Sequence, residues 1–88
     1  MRIVSGFVVR QIVGENVAIP SGAAARQLSG LLSLNGSGKL LFDLLQTEQT
    51  QESLVNALLD AYEIDAATAQ ADVAEFLQYL REAGVLVE

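Results

Sequence analysis

The sequence predicts an α+β fold, with a three-stranded antiparallel sheet followed by three helices. Three observations carry this. The first third is rich in β-branched residues and broken by glycine-containing turns. The rest changes to leucines and alanines at helical spacing, with a capping residue ahead of each segment. The two kinds of segment do not alternate along the chain, which favours α+β over a βαβ arrangement.

Phe7 to Val13 reads as the first strand, and Gly14-Glu15-Asn16 as a turn. Val17-Ala18-Ile19 returns as the second strand before Pro20. Ser21-Gly22 opens a loop, and Ala23 to Ser29 has no clear period. After Gly30, the short apolar run Leu31-Leu32-Ser33-Leu34 reads as the third strand. Asn35 then caps a helix from about Gly36 to Gln46, with Leu40, Leu41, Leu44 and Leu45 at helical spacing. Thr50 caps the second helix and Glu52 suits its first turn. Its apolar face is Leu54, Val55, Leu58, Leu59 and Tyr62. Asp65 caps the third, whose inner face is Ala69, Val73, Phe76, Leu77 and Leu80, and Gly84 stops it. Val85-Leu86-Val87 reads as an extended end. Three helices beside a small sheet is also the make-up of winged helix-turn-helix domains, an analogy that carries no function by itself.

The 88 residues suit one domain spanning 1–88, with a single aliphatic core and few aromatics. There is no Cys and no His, which removes thiol nucleophiles, Ser-His-Asp triads, haem ligation and the usual zinc sites. The expectation is no catalytic residues, no metal and no cofactor. Eleven acidic residues face five basic ones, for a net charge of −6. Arg2, Arg10, Arg26, Lys39 and Arg81 are scattered, whereas binding to nucleic acid or an anionic membrane needs clustered basic residues. Neither partner is expected. The N-terminal apolar run is interrupted too often for a signal peptide, and no window reaches the length of a membrane span. A soluble, cytoplasmic protein is expected.

Asn35-Gly36-Ser37-Gly38-Lys39 has the look of a phosphate loop, lying between a strand and a helix. The pattern G-x-x-x-x-G-K-[ST] fits only at Gly38-Lys39. Its first glycine would fall at Ser33 and its metal-binding hydroxyl at Leu40, which has none. A capped helix explains the stretch without a nucleotide. The carboxylate pairs Asp72/Glu75 and Asp60/Glu63 share helix faces, but with no nucleophile-base pair available they read as solvated surface.

The segment Gly6-Phe7-Val8-Val9-Arg10-Gln11-Ile12-Val13-Gly14-Glu15, the pair Ile19-Pro20, and Leu31-Leu32-Ser33-Leu34-Asn35 with Gly38 resemble the PqqD family. So do Ala71-Asp72-Val73, Glu75-Phe76-Leu77, Leu80-Arg81 and Gly84-Val85-Leu86. The founding member acts in pyrroloquinoline quinone synthesis. The resemblance implies a winged-helix-like precursor-peptide recognition element of ribosomally made, post-translationally modified peptides. Such an element binds the leader of a precursor peptide and presents it to a modifying enzyme, often a radical SAM enzyme. It implies that the leader adds a strand along the third strand, in a groove beside the third helix. Gly36 stands where members more usually carry Glu, and Phe42 near a position that is often a large aromatic.

This places the candidate peptide-binding residues at Leu31, Leu32, Ser33 and Leu34 on the strand edge and at Asp72, Glu75, Phe76 and Tyr79 on the third helix. Alternation puts Leu32 and Leu34 on one face of the strand. At about 100° per residue, Ala69, Val73, Phe76 and Leu80 centre the buried stripe of the helix. Asp72, Glu75 and Tyr79 then form one flank, and Leu77 and Arg81 the other. The Tyr79 flank is the choice here, because an aromatic at a groove rim offers area and a hydroxyl, while the two acids can meet basic leader residues. Two other readings stay open: a winged-helix transcription regulator, disfavoured by the acidic helices, and a dimerising regulatory module. A homodimer through exchanged elements also stays open.

Overall fold

The computed structural model describes residues 1–22, 25 and 30–88, so the aperiodic stretch Ala23 to Ser29 lies, Ala25 apart, outside the described residues. The elements are β1 (Arg2–Ile3), β2 (Phe7–Ile12), β3 (Glu15–Pro20), β4 (Leu32–Leu34), α1 (Gly36–Leu44), α2 (Gln51–Ala61), α3 (Ala66–Ala83) and β5 (Leu86–Val87). The expected sheet is β2-β3-β4, antiparallel throughout. The three expected helices follow it.

The hairpin turns one residue earlier than the sequence suggests. Ile12 pairs with Glu15, so the loop is Val13-Gly14 and Val13 is not in the strand. Both loop residues have positive φ, 51° at Val13 and 78° at Gly14. That is the pattern of a type I′ turn, whose twist suits two strands joined by two residues. Gly14 adopts it without strain. Val13 is β-branched and disfavours it, and at 98% exposure no packing compensates. We expect Val13→Asn to raise stability by about 1 kcal/mol, the lower end of the cost of a left-handed non-glycine residue. Urea denaturation checks this; a loss of stability would place the strain elsewhere.

Each helix begins at the residue that the sequence indicates. The Asn35 side chain accepts from the Gly38 N–H at 2.7 Å. Thr50 and Ser53 form a reciprocal capping box. The Asp65 carboxylate accepts from the Thr68 N–H at 2.7 Å, which holds its pKa below the usual carboxylate value. α1 ends at Leu44 rather than Gln46, because the Gln46 and Thr47 N–H groups bond back three residues to Asp43 and Leu44.

Gly84, at φ 75°, ends α3 in a left-handed cap. Val85 is then buried, and β5 pairs antiparallel with β1. β1 is not apparent in the sequence, since two residues that pair with the other end of the chain leave no local pattern. The Arg81 guanidinium grips Glu88 at 2.9 and 3.1 Å just beyond this pair and holds the Glu88 carboxyl below its usual range.

For Asp65 and Glu88 the folded pKa lies below the unfolded one. Their contribution is therefore present at neutral pH and is lost as pH falls through and below the ordinary carboxylate range. The melting temperature should drop over that interval. In Asp65→Asn with Glu88→Gln, the drop should be smaller.

Ala18, Leu32, Leu34, Leu41, Phe42, Leu45, Leu54, Leu58, Ala69, Val73, Leu77, Leu80 and Val85 make up most of the core, joined by Ile3 from β1. Two sequence expectations are corrected. Tyr62 is not on the inner face of α2: it is the C-cap and stands 41% exposed. The stripe of α3 is centred on Leu77 as well as Ala69, Val73 and Leu80, and Phe76 is only half-buried. The whole helix is thus rotated slightly, taking Leu77 off its expected flank and turning Phe76 outward.

Candidate functional site

Beside β4, a cleft of about 350 Å³ opens between the N-terminal turn of α1 and the outer flank of α3. β4 contributes Ser33 and Leu34, and α1 contributes Ser37, Gly38 and Leu41 beyond the capping Asn35. α3 contributes Asp72, Glu75, Phe76 and Tyr79. Six of the eight candidate residues therefore meet in one place. The other two do not line it: Leu31 lies outside β4 and is exposed, and Leu32 is buried in the core.

The alternation of β4 explains the division. Leu32 and Leu34 point inward and Ser33 points out. In the sheet order β2-β3-β4, one edge of β4 has no strand beside it among the described residues. The direction of the backbone groups follows from Tyr79, whose hydroxyl donates to the Ser33 carbonyl at 3.5 Å. That carbonyl faces α3 and not β3. In an antiparallel strand, the N–H and C=O of one residue point to the same side. Ser33 therefore offers both of its backbone groups to the cleft, while Leu32 and Leu34 serve the β3 side.

Leu34, Leu41 and Phe76 put apolar atoms at the bottom of the cleft, where α1 and α3 approach closely at Gly38. A Cβ there would lie 2.9 Å from Asn35 Oδ1 and 3.2 Å from Phe76 Cε1. With only hydrogen at this point, the Phe76 ring can rest against the first turn of α1. Phe76 also leans on Tyr79, with ring centroids 6.3 Å apart. Asp72 and Glu75 edge the outer side. Among the described residues neither is in an ion pair; the recorded pairs are Met1 with Glu48, Lys39 with Asp43 and Arg81 with Glu88. Arg81, on the other flank, is occupied by Glu88.

The cleft has an unpaired strand edge, an apolar floor, an aromatic rim and two carboxylates. An extended peptide can use each of these features, the edge through its backbone and the rest through alternate side chains. Among the described residues no group of three acids, histidines or cysteines could hold a metal ion, and no helix is long and apolar enough to cross a membrane.

Residues 15–86 match the family model for coenzyme PQQ synthesis protein D (PqqD). The chain belongs to the PqqD family. The match runs from β3 to the first residue of β5 and so includes every cleft residue. No curated protein matches the chain. Two solved structures share the PqqD-family fold seen here. One is TbiB1 in complex with the TbiA(beta) leader peptide, 24% identical, with a TM-score of 0.73 over 98% of this chain and 94% of that one. The other is lasso peptide synthetase B1 complexed with the leader peptide, 20% identical, with a TM-score of 0.71 over 99% and 96%.

Sequence reasoning missed Asn35, Ser37, Gly38 and Leu41 as cleft residues. Their signals, a cap and a helical leucine, report local structure only. That these residues face α3 is a matter of tertiary packing.

Proposed function

We propose that this chain is a non-catalytic adaptor, acting in the cytoplasm as one domain over 1–88. It binds the leader of a ribosomally made precursor peptide and presents it to a modifying enzyme, a radical SAM enzyme being the expected kind. Membership of the PqqD family supports this reading, as do two relatives of the same fold, both solved as complexes with leader peptides. The observation that carries it is the β4 edge, with the Ser33 N–H and C=O turned to a cleft of apolar floor. A peptide lying there as a further strand satisfies both groups, and its alternate side chains reach Phe76 and Leu41.

The test is calorimetric titration with synthetic precursor-peptide leaders, beginning with that of any small precursor gene found beside this one, against scrambled controls. Saturable binding to a leader alone is expected. No binding to any leader, together with salt-sensitive binding to duplex DNA, would overturn the adaptor reading in favour of a transcription regulator. Ser33→Pro refines the test. It removes one edge donor and leaves the ladder to β3 intact, a position where an edge strand tolerates proline. Leader affinity should fall at least two- to tenfold, the ~0.5–1.5 kcal/mol of one hydrogen bond. Unchanged affinity would mean that the leader does not pair with β4.

A further inference from the structure

Both tyrosines of the chain stand partly exposed, Tyr79 at 38% and Tyr62 at 41%. Tyr79 is at one end of the cleft. Tyr62 belongs to a second cavity of about 360 Å³, which it lines with Leu58 and Ile64. The two cavities are contiguous, because Asn35, Ser37 and Asp72 line both. The Tyr62 hydroxyl lies against the start of α1, 3.6 Å from where a Cβ on Gly36 would be. A single trough thus runs from Tyr79 past Phe76 and Asp72 to Tyr62, and Asp72 lines both of its parts.

β4 stops at Leu34, so a peptide that pairs with it and runs on past Asn35 leaves the sheet beside the second cavity. The chemistry there is uneven. Leu58, Ile64 and the Tyr62 ring form an apolar wall, and the charge at the entrance is the Asp72 carboxylate. An acidic side chain would be repelled by it, and by the net charge of −6 on the chain. A short apolar one would leave it unpaired. A long aliphatic stem ending in a cation fits both parts: the stem lies along Ile64 and Tyr62, and the cation meets Asp72 and the face of the ring.

The spacing follows from the helix. Asp72 is four residues from Phe76, about 6 Å along α3 at ~1.5 Å per residue. An extended peptide covers that distance in about two residues, which alternation places on the same face.

We propose that this second cavity is a subsite for a lysine or arginine of the bound peptide, two positions from the apolar side chain that rests on Phe76. The proposal rests on the peptide-binding reading above and adds the chemical class that the site selects.

A random 12-residue peptide library displayed on phage, selected separately against the full chain and against Asp72→Asn, tests it. Asp72 and Tyr62 are exposed and outside the core, so neither substitution threatens the fold. Peptides enriched on the unaltered protein should carry an apolar residue with Lys or Arg two positions away. On Asp72→Asn the apolar residue should persist and the basic preference disappear. The best peptide, resynthesised with its basic residue replaced by norleucine, should bind the unaltered protein five- to tenfold more weakly. On Asp72→Asn the same replacement should change affinity less than twofold, and Tyr62→Ala should reduce the effect as well. Enrichment of an apolar anchor with no basic preference, or a basic preference that survives Asp72→Asn, overturns the subsite and leaves the cleft reading standing. No enrichment of any peptide on the unaltered protein overturns both.

Discussion

Phe42→Ala should lower stability by about 3–5 kcal/mol, the usual cost of deleting a fully buried phenyl ring. Phe42 has no exposed surface and lies on the inner face of α1. Its ring meets Phe7 of β2 edge-to-face, with centroids 5.4 Å apart and planes at 89°. This is the aromatic contact that ties the helical part to the hairpin. Alanine leaves a cavity bounded by both layers and removes the partner of Phe7, which is only half-buried and cannot follow inward without dragging β2. Small domains have about 5–15 kcal/mol in total, so the loss is a large share. Urea denaturation followed by circular dichroism measures it, with an unchanged slope confirming that the folded state is intact. Phe42→Leu, which keeps most of the volume, should cost far less. A cost below about 1 kcal/mol for alanine would mean that α1 and the hairpin hold together without this wedge. Leu41, the neighbour of Phe42, is part of the cleft floor. A shift of α1 would therefore reach the site as well as the core.

The fold was legible where local chemistry sets it. Asn35, Thr50 and Asp65 are caps in the structure because each has a small polar acceptor one residue ahead of a periodic run, and Gly84 is a stop because it enters the left-handed region without strain. Elsewhere a local rule lost to a wider one. Val13 looks like strand by propensity, yet the two-residue hairpin needs it in the turn. Tyr62 continues the spacing of the α2 face, yet α2 ends at Ala61 and frees its ring toward the second cavity. β1 is invisible because its partner is more than eighty residues away. For the site, the sequence named the α3 flank of Asp72, Glu75 and Tyr79 and the alternation of β4, but not which face of that strand turns outward. It did not supply α1. The capping residues of that helix look complete in themselves, and only the missing Cβ of Gly38 brings them against Phe76.

Tyr79→Ala should weaken leader binding by about 1–3 kcal/mol and leave the fold in place, as expected for an aromatic anchor at a groove rim. Three features single out this residue. It is partly exposed, so its ring has surface to offer a ligand. Its ring packs near that of Phe76, with centroids 6.3 Å apart, and both line the cleft. Its hydroxyl touches the Ser33 carbonyl at 3.5 Å, a contact long enough to be given up when a peptide N–H takes that acceptor. The ring would then lie along the added strand and its hydroxyl would be free to bond the peptide. Alanine removes the rim and leaves the Phe76 floor, so affinity should fall through a faster off-rate with little change in on-rate. Arg81→Ala is the matching control on the other flank of α3. Arg81 is engaged with Glu88 and lines neither cavity, so its loss should leave leader affinity within about twofold while loosening the β1–β5 end. Titration of one labelled leader against both variants separates the flanks. A loss with Arg81→Ala and none with Tyr79→Ala would move the peptide to the other side of the helix, away from the β4 edge.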